Sequence, residues 1–376
     1  MTSVLFSPLN LGPFALPNRI AVAPMCQYSA DDGSATDWHL QQVMQYAMSG
    51  AGLVTLEATG IERRGRISHG CLGIYSDANE AALARVLAAA RKVAIPGTRF
   101  GIQLAHAGRK ASTQRPWEGG GGPLGINEDP WQTVAPSAVP FTPAHNVPTA
   151  LDEDGLTRIR LAFVRAAQRC VRLGFDVVEL HSTHGYLIDE FLSPHANVRT
   201  DQYGGGLENR MRFPLSVAKA VRAALPAHIV LGARTTGTDW TPGGFSQDDG
   251  AIYAQALKGL GVAYVSISTG GILPKQPIPT GPGYQVPPAA HIKAKTGMVT
   301  AAAGYIAAPE QAEEIVASGK ADMVELARAF LDNPRWVWHA ADRLGATIVY
   351  PPQFQRAAAA LWPGAKLSRP LDFPNT

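Results

Sequence analysis

The hydrophobic positions of the chain form eight short runs that are rich in Val, Ile and Leu. Apolar residues in these runs are consecutive and do not alternate with polar ones, as expected of parallel strands covered on both faces. The runs predict strands at Ile20–Pro24, Leu53–Ala58, Phe100–Ala105, Asp176–Leu180, Ile229–Arg234, Tyr264–Ser268, Met298–Ala302 and Met323–Ala327.

The longer stretches between these runs have apolar residues at the three- and four-residue spacing of a helix face. Strands and helices alternate eight times, which predicts an α/β fold built as a single (β/α)8 TIM barrel. The predicted helices are Trp38–Ser49, Asn79–Val93, Leu156–Arg172, Leu207–Ala224, Gln247–Leu260, Val286–Lys295, Pro309–Ser318 and Ala329–Leu344.

Two segments interrupt this alternation. Residues 113–148 are rich in Gly and Pro and follow the third strand, so we expect a loop excursion over the barrel mouth. The glycine run 119–122 lacks the Gly-Lys-Ser/Thr ending of a phosphate-binding loop. Residues 347–376 are expected to leave the barrel as a C-terminal tail. The length alone allows either two ordinary domains or one large barrel, and the eightfold alternation predicts that the whole chain, 1–376, forms one domain.

Composition narrows the possible partners and compartment. Lys plus Arg total 33 and Asp plus Glu total 30, with no long run of either sign, so no nucleic-acid partner is expected. The chain shows neither a signal-peptide pattern nor a run of 18 apolar residues, and we expect no membrane partner. Three cysteines, Cys26, Cys71 and Cys170, cannot form a disulfide framework. These features predict a cytoplasmic protein.

Polar and small residues cluster where the predicted strands end, which is the edge that carries the active site in barrels of this kind. Glycines after the sixth and seventh strands, with an arginine after the eighth, favour a phosphate site, because backbone N–H groups and a guanidinium both bind phosphate. The alternative is that these glycines only turn the loops. The strand-end residues are Pro24, Met25, Cys26, Tyr28, Ala58, Gln103, His181, His184, Tyr186, Arg234, Ala303, Gly304 and Arg328.

The pair His181-x-x-His184 leaves three interpretations open. Both imidazoles can hold one substrate oxygen, with Tyr186 as a nearby acid. They can instead bind zinc with a third ligand such as His106 or Cys26, although no motif of the His-Glu-x-x-His type supports a metal. They can also be core histidines. Cys26 has a similar ambiguity, since free cysteine is often a small buried residue, but its place at a strand end favours a functional role.

Four motifs, in order along nearly the whole chain, resemble the old yellow enzymes. They are the segments 18–28, 103–110, 181–186 and 191–205. The short N-terminus and the cysteine of the first strand resemble the thermophilic-like branch of this family, which includes xenobiotic reductase A. The resemblance implies a (β/α)8 barrel with tightly but non-covalently bound FMN, which uses NADPH or NADH to reduce activated C=C bonds of enones, enals and nitro compounds.

The resemblance also implies a role for each matching residue. Arg234 would stabilise the negative charge of reduced flavin near N1 and O2, and Cys26 would tune the flavin potential. His181 and His184 would bind the carbonyl or nitro oxygen of the substrate. Tyr28 would assist them, and Tyr186 would donate the proton. The residues expected to bind the cofactor are Pro24, Met25, Cys26, Ala58, Gln103, Arg234, Ala303, Gly304 and Arg328.

Some positions depart from the family pattern. Ala327 stands where glycine is common before the phosphate-site arginine, and Ala303 replaces the tryptophan of the xenobiotic reductase, which implies a roomier pocket. Residues 353–356 resemble the segment that places an arginine in a neighbouring subunit's site, so we expect a homo-oligomer that shares Arg356. The alternative is a tail that caps the barrel with Arg356 in solvent.

Two other functions compete with the reductase. A metal-dependent barrel hydrolase would use His181 and His184 as metal ligands, and a non-catalytic barrel would only bind a small molecule. The number of polar groups at the strand ends disfavours the non-catalytic barrel.

Overall fold

Eight parallel strands close into a barrel, which confirms the predicted (β/α)8 fold. The computed structural model describes residues 3–368 of the chain. Each strand pairs with its neighbours in chain order, and the eighth pairs with the first, where Val324 is in register with Ile20. The strands are β1 Ile20–Val22, β2 Leu53–Gly60, β3 Arg99–Ala105, β4 Val177–Ser182, β5 Val230–Thr236, β6 Tyr264–Ser268, β7 Val299–Ala302 and β8 Met323–Leu326.

Helices cover the outside of the barrel and pack on the outward-facing strand residues in one continuous core. Polar caps fix the start of some of them: Ser76 Oγ accepts from the Asn79 N–H, and Asp152 accepts from the Gly155 N–H. Within residues 3–368 none of the helices is long and apolar enough to span a bilayer. The helices are α1 Asp37–Ala47, α2 Asp77–Val93, α3 Glu153–Leu173, α4 Leu187–Leu192, α5 Leu207–Ala224, α6 Gln247–Gly259, α7 Val286–Thr296, α8 Pro309–Ala317, α9 Arg328–Asp332, α10 Trp336–Leu344 and α11 Ala365–Ser368.

Three local elements differ from the sequence prediction. The single helix predicted at Ala329–Leu344 is wrong, because the chain forms α9 and α10 there. Asn333 is extended between them, and the following Pro334 disfavours the helical conformation of the residue before it. The short helix α4 was not predicted. Nor was an N-terminal hairpin in which Leu9–Leu11 pairs with Phe14–Leu16.

The hairpin seals the amino-terminal end of the barrel with an apolar layer. A Cβ on Gly232 of β5 would lie 2.2 Å from the Tyr264 ring, so glycine is required there to admit that ring into the barrel. Because side chains alternate along a strand, residues two positions beyond this layer, such as Glu179 and Glu325, also face the interior, where both are buried. The layer consists of Leu9, Leu11, Leu16, Ala21, Leu53, Val177, Val230, Tyr264, Ala301 and Met323.

The segment 113–148 contacts the turn that follows β1. Arg115 Nε donates to the Tyr28 carbonyl oxygen at 2.9 Å, and the Trp117 ring meets the Tyr28 ring edge-on at 5.9 Å between centroids. The two-residue strands Val134–Ala135 and Thr149–Ala150 pair in parallel near its end. The excursion therefore borders the mouth of the barrel at a predicted site residue.

The tail is anchored on α10 by aromatic packing. The Trp338 ring lies 4.9 Å from the Tyr350 ring and 5.7 Å from the Phe354 ring, and the Arg335 guanidinium lies 4.7 Å above Phe354. Phe354 lies on a short 3-10 helix, Pro352–Ala357, on which Arg356 is exposed. The end of the predicted tail, 369–376, lies outside the described residues.

Candidate active site

The turn after β1 carries Cys26 and Tyr28. The Gln27 N–H donates to Glu57 Oε2 at 3.0 Å, and His39 Nε2 lies 3.2 Å from the other oxygen of that carboxyl group. His39 and Glu57 are both buried. Tyr28 has a φ of 50°, in the left-handed region that bulky residues rarely adopt. Glu57, which no sequence motif revealed, therefore holds the turn that presents the two predicted site residues, and His39 lies beside it.

Cys26 and Tyr28 both keep their protons at neutral pH. Burial, with the nearby Cys71 thiol and Glu57 carboxyl group, raises the pKa of the Cys26 thiol well above its usual value. Burial likewise raises the pKa of the Tyr28 phenol. A thiol is a far weaker nucleophile than a thiolate, so the arrangement favours a packing or tuning role for Cys26 over covalent catalysis.

Three predicted site residues converge after β4. The His181 ring stands edge-to-face 5.2 Å from the His184 ring and 5.0 Å from the Tyr186 ring, and the last two are 6.4 Å apart. Tyr186 immediately precedes α4, so the turn between strand and helix brings the phenol back beside the imidazoles.

Backbone contacts hold the loop that carries His184. His184 and Gly185 both have positive φ, 64° and 69°. Lys110 Nζ donates to the carbonyl oxygens of His184 at 2.7 Å and of Gly271 at 2.9 Å. A Cβ on Gly185 would lie 2.2 Å from the Gly271 oxygen, so glycine lets the loops after β4 and β6 touch. Lys110, which lies in the loop after β3 and has no role assigned from sequence, thus connects the ends of three strands.

The two histidines have different partners. His184 Nε2 lies 2.6 Å from Ser268 Oγ at the end of β6, and Ser268 also accepts from Gln285 Nε2 at 3.2 Å. His181 Nδ1 is buried and has no hydrogen-bond partner among residues 3–368. A buried polar atom without a partner is costly unless a ligand or water completes it. A ligand can therefore supply the missing partner of His181 Nδ1.

Burial sets the charge state of this cluster. It lowers the pKa of His181 to about 3, helped by Arg234 and Lys110, and it lowers the pKa of His184 well below its usual value. Burial also raises the pKa of the Tyr186 phenol. At neutral pH the site therefore offers two uncharged imidazoles and a protonated phenol, all able to donate a hydrogen bond to a substrate oxygen.

A polar network lies beneath the mouth, inside the barrel. Glu179 accepts from Gln103 Nε2 at 2.7 Å and from the Tyr264 hydroxyl at 2.8 Å. Burial and the neighbouring Glu325 raise the pKa of Glu179 to about 7, against the opposing effect of Arg234. The predicted cofactor residue Gln103 is thus fixed by a carboxyl group from the next strand.

Arg234 belongs to the same network. Its Nη1 donates to Glu325 Oε2 at 2.6 Å, and the Ser266 hydroxyl donates to that same oxygen. Arg234 is level with His181 in the register of β4 and β5. Its Nε is buried and has no partner within the described residues. Glu325 therefore holds the guanidinium through Nη1, and the buried Nε–H remains available for a ligand.

The predicted phosphate residues lie on neighbouring strand ends. Ala303 is buried directly after β7, and Gly304 has a φ of 96°, which only glycine adopts readily. Arg328 begins α9 after β8 and is exposed. Because β7 and β8 are paired, these residues lie at one side of the mouth. The strand pairing is consistent with a phosphate site there.

Two buried carboxyl groups on α4 support the loops around the site. Asp189 Oδ2 accepts from the Gly185 N–H at 2.7 Å, and Glu190 Oε1 accepts from the Arg109 N–H at 2.8 Å. Burial raises the pKa of Asp189 and of Glu190 to about 8 in each case. Both groups are therefore largely protonated at neutral pH while they hold these backbone positions.

The raised pKa of Glu190 predicts a pH-dependent stability. Its value rises from 4.5 to about 8 on folding. The folded state therefore binds an additional proton between these values, and the free energy of unfolding should fall as pH rises through this window. In Glu190→Gln the free energy of unfolding should fall less between pH 5 and pH 8. The urea midpoint at each pH measures this change. The exposed Glu208 offers a control, since Glu208→Gln should keep the wild-type slope. An unchanged slope in Glu190→Gln would contradict the assignment.

A barrel whose mouth presents buried, uncharged hydrogen-bond donors above an internal arginine is an enzyme site for a bound cofactor and a small substrate. The chain belongs to the NADH:flavin oxidoreductase / NADH oxidase family, whose model matches residues 4–346. It is 40% identical over 357 residues to an NADPH dehydrogenase of Listeria innocua, with 94% of this chain and 99% of the relative covered. An NADPH dehydrogenase of Geobacillus thermodenitrificans is 39% identical over 358 residues, which cover 95% of this chain and 99% of that relative.

Solved structures agree with this family. Morphinone reductase superimposes with a TM-score of 0.75 at 30% identity, covering 94% of this chain and 93% of its own. An old yellow enzyme homologue from Zymomonas mobilis superimposes with a TM-score of 0.73 at 26% identity, covering 92% and 94%. These matches confirm the resemblance to old yellow enzymes. The protein is an NAD(P)H-dependent flavin oxidoreductase with FMN as its cofactor.

The metal-hydrolase alternative finds no support. Within residues 3–368 no group of three His, Cys, Asp or Glu side chains is placed to hold a metal ion. His106, a candidate third ligand, has both ring nitrogens engaged: Nε2 lies 3.0 Å from Glu62 Oε1, and Nδ1 accepts from the Gly108 N–H at 3.0 Å. The imidazole pair is therefore available for a substrate oxygen and lacks the ligand set of a metal centre.

The residues at the mouth fit FMN by their donor chemistry. Arg234 Nε is a buried N–H without a partner among the described residues, suited to the carbonyl and nitrogen acceptors of a flavin. Ala58 is a small buried residue near the end of β2, and Met25 offers an apolar, polarisable side chain. The exposed Arg328 can reach a phosphate. The fit thus rests on an unpartnered donor and on side chains that match an aromatic ring system with a charged tail.

Proposed function

We propose that this protein is an ene-reductase, which reduces the activated C=C bond of small enones and enals, and also accepts nitro compounds, with NADPH as reductant. The observation that carries the proposal is the cluster of His181, His184 and Tyr186, two uncharged imidazoles and a protonated phenol within 6.4 Å of each other. The names of the bacterial relatives, NADPH dehydrogenases, support NADPH as the reductant.

The position of the proposed cofactor residues at the strand ends, and membership of the family, support their roles. FMN, when bound, supplies the hydride that reduces the alkene. Arg234 and Gln103 would hold the pyrimidine edge, Gly304 and Arg328 the phosphate, and the remaining contacts would come from Pro24, Met25, Cys26, Ala58 and Ala303. Hydrogen bonds to Glu179 and Glu325 orient Gln103 and Arg234, which favours a single orientation of the bound cofactor.

His181 and His184 would bind the substrate carbonyl or nitro oxygen. Hydride addition to the β-carbon of an enone moves negative charge onto that oxygen, and donors aimed at it stabilise the transition state. His181 Nδ1 has no partner within residues 3–368, whereas Ser268 Oγ lies within hydrogen-bond distance of His184 Nε2 and orients that ring. Tyr28, on the opposite loop, would complete the pocket. Uncharged imidazoles suit this role because they add no fixed charge to a buried site.

Tyr186 would give the proton to the α-carbon. Burial keeps its phenol protonated at neutral pH, and its ring lies 5.0 Å from the His181 ring. A positioned acid at this distance from the oxygen-binding group can reach the second carbon of the double bond. The proposed pocket thus contains all the chain's own groups that the reaction needs.

The test is an anaerobic two-step titration of the purified holoprotein. NADPH is expected to bleach the flavin absorbance, and 2-cyclohexenone is then expected to restore it in stoichiometric amount. Cyclohexanone, which lacks the C=C bond, is the matched control and should leave the enzyme reduced. If NADPH bleaches the flavin but only oxygen or quinones restore it, the protein is a flavin oxidoreductase without ene-reductase activity, and the proposal is wrong.

We also propose that the protein is a homo-oligomer in which Arg356 enters the site of a neighbouring copy. Arg356 is exposed, and the aromatic contacts of Tyr350 and Phe354 with Trp338 fix the start of the segment that carries it. An anchored segment with an outward arginine can reach another subunit at little cost in conformational entropy.

Arg356→Ala should raise the KM for 2-cyclohexenone about tenfold and change kcat less, because a binding contact contributed by the partner would be lost. Kinetics and light scattering check both parts. The neighbouring Gln355→Ala is the control, since it removes an exposed side chain from the same short helix. A monomer in solution, or unchanged KM in Arg356→Ala, would contradict the shared site.

A further inference from the structure

A charged pair lies in the barrel interior where a (β/α)8 barrel usually has apolar residues. Glu325 is on β8 and Arg234 on β5, so they approach each other across the interior and not along one strand pair. Their side chains are 1% and 9% exposed, and Arg234 Nη1 donates to Glu325 Oε2 at 2.6 Å. Burying a carboxylate and a guanidinium costs free energy even when they pair. The pair therefore calls for an explanation beyond packing.

The pair is built to keep the carboxylate oriented. The Ser266 hydroxyl donates to the same oxygen, Oε2, that accepts from Arg234. Glu179, the other interior carboxyl group, is satisfied separately by Gln103 and Tyr264. Among the described residues, Glu325 is thus the only carboxyl group that accepts a hydrogen bond from the Arg234 guanidinium, and it neutralises that cation at short range.

We propose that Glu325 is the counter-ion of Arg234 that lowers the reduction potential of the bound flavin, a role that rests on the proposed placement of Arg234 against the flavin pyrimidine edge. Glu325 is a positioning and tuning residue and does not itself touch substrate. It acts on the cofactor through the guanidinium.

Electrostatics determine the direction in which Glu325 shifts the reduction potential of the flavin. Two-electron reduction places negative charge on the flavin near N1 and O2, and an adjacent cation stabilises the reduced form more than the oxidised form. A carboxylate beside that cation cancels part of its field, and the cancellation is large in an interior of low dielectric constant. Glu325 therefore makes reduced flavin less stable and a stronger hydride donor toward the alkene.

The experiment compares wild-type holoprotein with Glu325→Gln, which keeps the size of the side chain and removes its charge. Reduced FMN should be bound about tenfold more tightly relative to oxidised FMN in the variant, which is an upward shift of about 30 mV for a two-electron couple. The potential is measured by equilibration with a reference dye, and the affinity of apoprotein for oxidised FMN is measured by fluorescence quenching. Flavin reduction by NADPH should become faster, and reoxidation by 2-cyclohexenone slower.

Ser266→Ala is the matched control. It removes a hydrogen bond to the same Glu325 oxygen without changing any charge. The reduction potential of its bound flavin should therefore differ from the wild-type value much less than in Glu325→Gln. Glu325→Leu is a second charge-removing variant, which also removes the acceptor of the Arg234 and Ser266 hydrogen bonds. It should shift the potential in the same direction as Glu325→Gln.

The outcomes separate this inference from the proposed function. A wild-type protein that is reduced by NADPH but not reoxidised by 2-cyclohexenone would contradict the ene-reductase proposal, while the potential of its flavin would still test Glu325. An unchanged or lowered potential in Glu325→Gln, with FMN bound normally, would overturn the role of Glu325 alone. Failure of both Glu325 variants to fold would also overturn it, because the carboxylate would then be needed for the barrel itself.

Discussion

Replacing Tyr186 with phenylalanine is expected to slow the reduction of 2-cyclohexenone by about 10²–10⁴-fold, the range typical of a lost general acid. The variant keeps the aromatic ring, which packs edge-to-face against His181 at 5.0 Å, and removes only the hydroxyl. Burial keeps that hydroxyl protonated at neutral pH, so wild-type activity should not depend on ionisation of Tyr186 between pH 6 and pH 8. Stopped-flow reoxidation of the pre-reduced enzyme measures the effect directly.

Tyr28→Phe provides the control for this prediction. It removes a second phenol from the same mouth. Tyr28 lies on the loop after β1, and burial raises the pKa of its phenol as well. We expect its effect mainly in KM, because Tyr28 is proposed to assist binding and not to transfer the proton. Reoxidation of Tyr186→Phe within threefold of the wild-type rate would show that another group, or water, supplies the proton.

Replacing His181 with alanine is expected to lower kcat/KM for 2-cyclohexenone by about 10²–10³-fold, the usual cost of one donor to a developing oxyanion. His181 Nδ1 is the buried ring nitrogen that has no partner among residues 3–368. Binding of phenols, which place an oxygen in the same position, should weaken in parallel, whereas the absorbance of bound FMN should remain. The double variant His181→Ala/His184→Ala should lose phenol binding altogether.

His181→Asn is the matched control, because its amide N–H can replace the ring donor without carrying charge. It should recover a large part of the activity lost in His181→Ala. Since burial holds the pKa of His181 near 3, the imidazole is uncharged across the neutral range, and its contribution should not change between pH 6 and pH 8. Equal activity in the wild type and His181→Ala would contradict the oxygen-binding role.

Several residues of the candidate site could not be read from the sequence because their importance depends on contacts between distant segments. Ser268 is an ordinary strand-end serine until it meets His184, 84 positions away. Lys110 stands inside a recognisable motif, yet only the fold shows that it binds the carbonyl oxygens of two other loops. Glu57 and His39 belong to different elements and meet behind the turn after β1.

A signal for the interior network was present, and it could have been used. Glu179 and Glu325 are charged residues in the middle of two apolar runs that predict buried strands. A buried charge requires a partner, so each predicts a polar group inside the barrel. The sequence could not say that Arg234 would pair with Glu325 and not with Glu179, because that choice depends on which strands face each other across the closed barrel.

The sequence by itself determined the architecture and the class of chemistry. Consecutive apolar runs alternating with helical faces encode the barrel locally, and the motifs around Cys26, His106 and His181 identify the flavin oxidoreductase family. Local patterns fix strands and helices because each depends on residues close in the chain. The one helix predicted wrongly, at Ala329–Leu344, was broken by the local effect of Pro334.

Only the tertiary structure decided how the site is tuned. The charge states of His181, Tyr186 and Glu190 follow from burial, and the partners of Arg234 and His184 follow from the closure of eight strands. Burial and long-range hydrogen bonds are properties of the assembled interior, where the low dielectric constant strengthens every charge interaction. Local sequence patterns thus specify the strands and helices of the flavin-binding barrel. The charge states and hydrogen bonds at its mouth are set only when the barrel closes.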